Sequence, residues 1–424
     1  MGILIKNGYV IDPSTKKEGV FDILIERDKV SRIAKRIETK DKGINIIDAK
    51  GMFVFPGLID LHCHLREPGR EDEETIYTGS LSAVSGGFTT ICCMPNTSPP
   101  LDNKVAIRFV IDRARDALCE VLPIGAITLG REGKELAPYG EMVEEGAVAF
   151  SDDGDCVMDS LVMRRALEYT KLYKKPVISH SEDKNLSRTG VMNEGAISTK
   201  MGLSGIPYQA EVVMVYRDIA LAHMTGGKLH LAHLSVAGSV EMVREAKKKM
   251  KNLTSEVAIH HLVLTEEDVN GYNTNAKVMP PLRTKKDITA LIKGLKDGTI
   301  DCIVTDHAPH TQEEKDSGFD NAPFGIIGFE TALSLSMALQ EKGLSIMNII
   351  SLLTTGPARV LGIDRGCIAE GRYADVVVFD PGREWIYRKE DIRSKSKNSP
   401  FIGRKMKGKV LKTICKGKVV FSLE

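Results

Sequence analysis

KLHLAHLSVAGSVEMVREAKKKMKNLTSEVAIHH, residues 228–261, holds the pattern that decides the fold. Two short apolar runs, KLHLAHLS (228–235) and SEVAIHH (255–261), flank SVEMVREAKKKM (239–250), whose apolar residues recur at helical spacing. Strand, helix, strand is the signature of a parallel βα unit. Outward from this unit the same alternation recurs: LIDLH (58–62), TTICCMPN (89–96), EVLPIGAIT (120–128), AVAFSDD (147–153), KPVISH (175–180) and IDCIVTDH (300–307). SLVMRRALEYTKLY (160–173) is a further helical stretch. Eight candidate strands with intervening helices predict an α/β chain built on a (β/α)8 TIM barrel. A doubly wound open sheet is the alternative, but no G-x-G-x-x-G follows the first strand.

The two ends of the chain read differently. ILI, Asn7-Gly8 and YVI suggest a hairpin with a tight turn, and FDILIERDKVSRIA and INIIDAKGMFVFP continue as strands. ADVVVFDP (374–381) and GKVLKTICKGKVVF (408–421) are strand-like at the other end. The expected organisation is one small β domain in which both termini meet, from residues 1–55 and 366–424, around a barrel over 56–365.

The 424 residues carry a net charge of only +1, which gives no reason to expect nucleic acid or a membrane surface as a partner. The basic stretches SKSKNS and GRKMKGK (394–409) read as a solvated face of the β domain. No apolar run approaches the ~20 residues of a membrane span, and MGILIKNG lacks a signal-peptide pattern and a myristoylation site. The eight cysteines form no C-x-x-C pair, and several lie in apolar runs, so a reducing cytoplasm is the expected compartment.

Nine of the ten histidines, all but His223, fall at or beside the ends of the apolar runs. A barrel places its chemistry at the C-terminal ends of its strands. His62 and His64 lie i and i+2 on one strand and point the same way. His180, His233, Asp153 and Asp306 each end another strand. Imidazole and carboxylate suit a borderline metal such as zinc, and six such groups leave room for two ions with a bridging carboxylate. His230, His260 and His261 read as supporting or structural residues, and His307 should point away from Asp306.

Read together, FPGLIDLHCHLREPG (55–69), GGFTTICCMPNTSPP (86–100), AVAFSDDG (147–154), ISHSED (178–183), LAHLS (231–235), MPPLR (279–283), IVTDHAPH (303–310) and APFGIIGFET (322–331) resemble, in order, the motifs of the amidohydrolase superfamily. Within it the chain is similar to class I dihydroorotases, and TTGPARVLGI and GRYADVVVFD fit as well. The subfamily rests mainly on AVAFSDDG. Hydantoinases, dihydropyrimidinases and allantoinases usually end this strand with a metal-bridging lysine, and no lysine lies between Gly146 and Gly154. Asp153 aligns best with the aspartate of class I dihydroorotases, with Asp152 as the swap.

The resemblance implies a metal-dependent barrel with a composite β-sandwich and Zn2+, one or two per subunit. His62 and His64 would hold one metal, His180 and His233 the other, and Asp153 would bridge them. Asp306 would touch the metals and serve as general base and acid. Arg66, Asn96 and His310 would clamp a substrate carboxylate, and the main chain of Phe324 and Gly325 would contact the ring. Met279 stands where most of the family has an asparagine, so either substrate affinity drops or another group, Asn275 or a main-chain amide, substitutes. Cys63, between the two histidines, reads as packing. The implied reaction is reversible cyclisation of N-carbamoyl-L-aspartate to L-dihydroorotate by a metal-activated hydroxide, in de novo pyrimidine synthesis. Implied partners are this small substrate, aspartate transcarbamoylase and further copies of the chain. The alternatives are another cyclic amidase of the hydantoinase or allantoinase type, and a non-catalytic scaffold for aspartate transcarbamoylase.

Overall fold

The computed structural model describes residues 2–41 and 43–423. Both ends of the chain enter one eight-stranded sheet. Its seam is the antiparallel pairing of Phe53–Pro56 with the start of Val376–Ile386, where Val376 faces Pro56 and Phe379 faces Phe53. Beyond the seam lie Lys405–Cys415 and Lys418–Ser422 on one side, and Gly2–Asp12, Lys17–Glu26 and Lys29–Ala34 on the other. Ile5, Val10, Ile23, Val54, Val376 and Ile414 bring residues from both termini into one buried cluster.

Asn7-Gly8 is not the turn of a hairpin. Gly2–Asp12 is a single strand, and its register against Lys17–Glu26 slips between Ile5 and Gly8. Asn7 takes a left-handed φ of 60°, its amide donates to Asp22 Oδ1 and its side chain to Asp48 Oδ1. The pair therefore forms a bulge. The extra residue changes the inward parity from Ile3 and Ile5 to Val10, which keeps all three in the core. A β-carbon on Gly8 would meet Val54 Cγ2 at 2.5 Å, so glycine is required for this close approach.

The eight apolar runs of the middle become the eight barrel strands: Leu58–Cys63, Phe88–Cys93, Glu120–Pro123, Phe150–Ser151, Val177–Ser179, Leu229–Leu231, Leu253–Ala258 and Cys302–Val304. All their pairings are parallel. Two short contacts complete the ring. Ser151 N donates to Gly125 O (2.8 Å) between the third and fourth strands, and His64 N donates to His307 O (2.8 Å) between the first and eighth. The strands are short and buried, as expected where helices cover the outside. The stretches at helical spacing form Ser160–Thr170, capped by the Asp159 side chain, and Ala237–Lys247.

The composite sheet depends on the turn at Gly417. Its φ is +73°, its amide donates to Ala374 O, and a β-carbon there would stand 1.8 Å from Arg27 O. Gly417→Ala combines a left-handed penalty with a main-chain clash and should cost about 2 kcal/mol or more. Urea denaturation monitored by circular dichroism checks this; an unchanged midpoint would show that the two termini do not depend on this contact.

Candidate metal centre and substrate cavity

The ends of the barrel strands converge on one cluster. Asp153 Oδ1 lies 3.2 Å from His62 Nε2, 3.4 Å from His180 Nδ1 and 3.6 Å from His233 Nε2. Its Oδ2 lies 3.6 Å from His64 Nε2. Asp306 Oδ1 approaches His64 Nε2 at 3.3 Å and His62 Nε2 at 3.7 Å. His180 and His233 stand edge to face, 4.7 Å between ring centres. Asp152 faces elsewhere: its carboxylate accepts from the amides of Ile127 and Thr128 and from the Thr128 hydroxyl. Of the adjacent pair, Asp153 therefore faces the imidazoles, as successive residues of an extended chain point to opposite sides.

Three non-glycine residues here hold left-handed backbone: Arg66 (φ 60°), His233 (φ 27°) and Asp306 (φ 48°). Each lies just past a strand end, where the strained turn aims the side chain across the barrel mouth. Such strain persists only where the surrounding structure enforces it.

The electrostatics suit a cation. Burial disfavours a charge on His62, yet Asp153 and Glu256 outweigh it and hold its pKa well above the ordinary range. Burial likewise opposes charge on His180, but Asp153 and Glu182 push it up to about 9. Burial would raise Asp153 and Asp306, and the neighbouring imidazoles instead hold both carboxyls below their usual range. His62 Nε2 and Asp153 Oδ1 are fully buried and have no hydrogen-bond partner among the described residues. Ligating atoms of His62, His64 and Asp153, and of Asp153, His180 and His233, lie within 4.8 Å of one another. Buried lone pairs aimed at a common point, from nitrogen and oxygen donors, fit a zinc-type ion or ions.

Support comes from residues the sequence reading missed. Glu256, inside the seventh strand, accepts from His62 Nδ1 (2.8 Å) through one oxygen and pairs with His230 Nε2 (3.0 Å) through the other. His230 Nδ1 in turn meets Thr254 Oγ1. Both imidazoles hold the Glu256 carboxyl at about 2 against the pull of burial. A charged residue within an apolar run was the available signal. Glu182 does the same for His180 Nε2 at 3.1 Å. His307 turns away from the cluster, stacked on Phe329 at 4.2 Å. Cys63 is buried and donates to Cys92 O. His261 meets Pro280 O, while both ring nitrogens of buried His260 lack a partner among the described residues.

A cavity of about 390 Å³ opens over the cluster. Arg66, Asn96, Met279, His310, Phe324 and Gly325 all line it, beside His64, Asp153, His180, His233 and Asp306. Asn96 uses Oδ1 to accept from His64 Nδ1 (2.8 Å). His310 Nε2 lies 2.9 Å from Phe324 O. Asn275 does not line the cavity; Lys184 and Arg188, unremarked in the sequence, do. The stretch SKSKNS is not a solvated face. Ser394, Ser396, Asn398 and Ser399 are buried. Ser394 Oγ donates to Glu74, Ser396 Oγ to Glu73 O, and Asn398 Oδ1 accepts from His310 N. Small polar side chains there satisfy buried groups of the loops around the cavity.

Residues 53–420 match the model of the amidohydrolase family. The dihydroorotase of Endomicrobium trichonymphae is 50% identical over 100% of both chains, and that of Syntrophus aciditrophicus (strain SB) 47% identical over 99% of each. Among solved structures, the dihydropyrimidinase of Brevibacillus agri superposes with a TM-score of 0.86 at 24% identity, covering 100% of this chain and 95% of that one. The L-hydantoinase of Arthrobacter aurescens gives 0.87 at 23%, covering 100% and 97%. The two structures share the fold; the full-length identity and the convergent histidine–aspartate cluster carry the finer assignment, and the chain belongs to the amidohydrolase family and, within it, to the dihydroorotases, metal-dependent cyclic amide hydrolases.

Proposed function

We propose that the protein interconverts N-carbamoyl-L-aspartate and L-dihydroorotate in pyrimidine synthesis. The observation that carries this reading is a largely buried arginine, Arg66, opening into the same cavity as the candidate metal-binding cluster. A guanidinium recognises a planar carboxylate with paired donors, and dihydroorotate differs from a neutral cyclic amide by such a group. His62 and His64 would hold one metal and His180 and His233 a second, with the Asp153 carboxylate within reach of both pairs. The reading takes Zn2+ as the resident ion, one or two per subunit. When bound, zinc brings the pKa of water near neutral and polarises a carbonyl.

The residues divide the remaining work. Arg66, Asn96 and His310 hold the substrate carboxylate, and the main chain at Phe324 and Gly325 orients the ring. Met279 offers no donor, so main-chain groups of that loop orient the ring there. Asp306 takes the proton of the attacking water and delivers it to the departing ring nitrogen. In ring closure it runs the other way and must start protonated. The same reading takes the cytoplasm as the compartment, in keeping with eight free cysteines, and admits aspartate transcarbamoylase and further copies of the chain as partners. Elemental analysis of the purified protein beside a dihydroorotate hydrolysis assay tests it; metal-loaded protein without turnover would overturn it.

Three variants test the roles. Asp306→Asn should keep its metal through the other five groups and lose about 10²–10⁴-fold in rate in both directions. Because the folded site holds the Asp306 carboxyl low, its ionised form serves ring opening at neutral pH, and ring closing should slow as pH rises. In wild type the two pH–rate profiles should mirror each other about one apparent pKa. Full turnover in the metal-loaded variant would remove Asp306 from the chemistry. Arg66→Lys keeps the charge but loses the paired donors, and should raise KM for dihydroorotate; an unchanged KM would sink the clamp. Glu256→Gln should weaken zinc binding by about 10–100-fold in chelator competition, whereas wild-type affinity would leave Glu256 a packing residue.

A further inference from the structure

Arg66 follows the first barrel strand and His310 the eighth, yet Arg66 Nη2 lies 3.1 Å from His310 Nε2. Two cationic or dipolar groups on separate loops need something to hold them in one geometry. Behind both lies Glu73, with its carboxylate only 3% exposed. Its Oε2 is 2.9 Å from Arg66 Nε, and its Oε1 is 3.0 Å from His310 Nδ1. A carboxylate oxygen accepts, so His310 Nδ1 carries the hydrogen in this contact. Nε2 is then the nitrogen turned toward Arg66 Nη2 and Phe324 O (2.9 Å). Arg66 Nε also donates to Pro309 O (3.1 Å) and Nη2 meets His310, which leaves Nη1 for a ligand.

Glu73 is itself well fixed. Its amide donates to Arg70 O (3.0 Å), and its carbonyl accepts from Ser396 Oγ (2.7 Å). Arg70 Nη2 lies 3.2 Å from the same Oε1 and 2.7 Å from Glu314 Oε1, on the loop that carries His310. Glu73, His310 and Glu314 also gather three potential metal-ligating atoms within 4.8 Å. Two guanidinium groups already lie against these carboxylates and supply the positive charge there.

We infer that Glu73 is a positioning residue for recognition of the substrate carboxylate: one buried carboxylate orients both Arg66 and His310. The inference rests on the reading of those two residues as the carboxylate clamp. Orienting groups of this kind confer rate and affinity through the residues they hold. A carboxylate that merely neutralised Arg66 would weaken anion binding, and its removal would lower KM. A positioning carboxylate acts in the opposite direction.

The test is steady-state dihydroorotate hydrolysis by the metal-loaded enzyme. Glu73→Gln should raise KM about tenfold or more while changing kcat by less than about threefold, with metal content unchanged. In an Arg66→Lys background the same substitution should change KM by less than about twofold, because coupled residues are not additive. Glu73→Asp, which withdraws the carboxylate by about 1.5 Å, carries the same expectation should the glutamine variant not fold. A KM that stays level or falls overturns the inference, as does an equal factor in both backgrounds. A metal-loaded wild type that does not open dihydroorotate overturns the proposed function and this inference with it.

Discussion

Asp153 is the constraint on which the site turns. Its two oxygens stand 3.2–3.6 Å from imidazole nitrogens of His62, His180, His233 and His64. Four imidazoles and a carboxylate cannot be withdrawn from water so closely unless their charges and lone pairs find partners. Within the chain, Glu256, Glu182 and Asn96 take the outward nitrogens of His62, His180 and His64. The inward atoms, His62 Nε2 and Asp153 Oδ1 among them, are left for a cation. The barrel must close for this to hold, because the participating side chains come from its first, fourth, fifth, sixth and eighth strands. The hydrogen bond from His64 N to His307 O joins the first strand to the eighth beside two of them.

The rest of the chain restrains the loops above those strand ends. Residues 394–399 come from the segment between two strands of the C-terminal half of the sheet, and their side chains reach into the loops that carry Glu73, Glu74 and His310. The composite sheet is thus coupled to the cavity as well as to its own core. Its coherence depends in turn on the pairing of Phe53–Pro56 with Val376–Phe379, which ties the entry to the barrel to the chain that leaves it.

The barrel was legible because its strands are buried on both faces and so read as unbroken apolar runs between helical stretches. The six convergent strand-end residues were legible because histidines and aspartates repeatedly close those runs. Asn7-Gly8 misled, since a bulge and a tight turn call for the same left-handed residue types. Which of Asp152 and Asp153 faces inward needed three dimensions: the parity of a strand is visible only once a neighbour fixes one face. Glu73 was hidden in the charged run REDEE, which composition alone assigns to solvent. SKSKNS was misread for the same reason, because its serines and asparagine are buried by loops distant in sequence.

The likeness to a dihydropyrimidinase and an L-hydantoinase at 24% and 23% identity is a likeness of scaffold. In a barrel of this kind the strands set where side chains end, and the side chains set the chemistry. An aspartate at the end of the fourth strand is shorter than a lysine and brings its own fixed negative charge, so Asp153 must be approached closely by all four imidazoles. An arginine two residues past His64 adds a requirement at the other side of the cavity. The Arg66 guanidinium is largely buried, with its Nε 2.9 Å from Glu73 Oε2 and donating to Pro309 O. It brings positive charge to the wall of the cavity. That charge sits where two loops meet, and the shared barrel leaves it free to differ between relatives of the same fold.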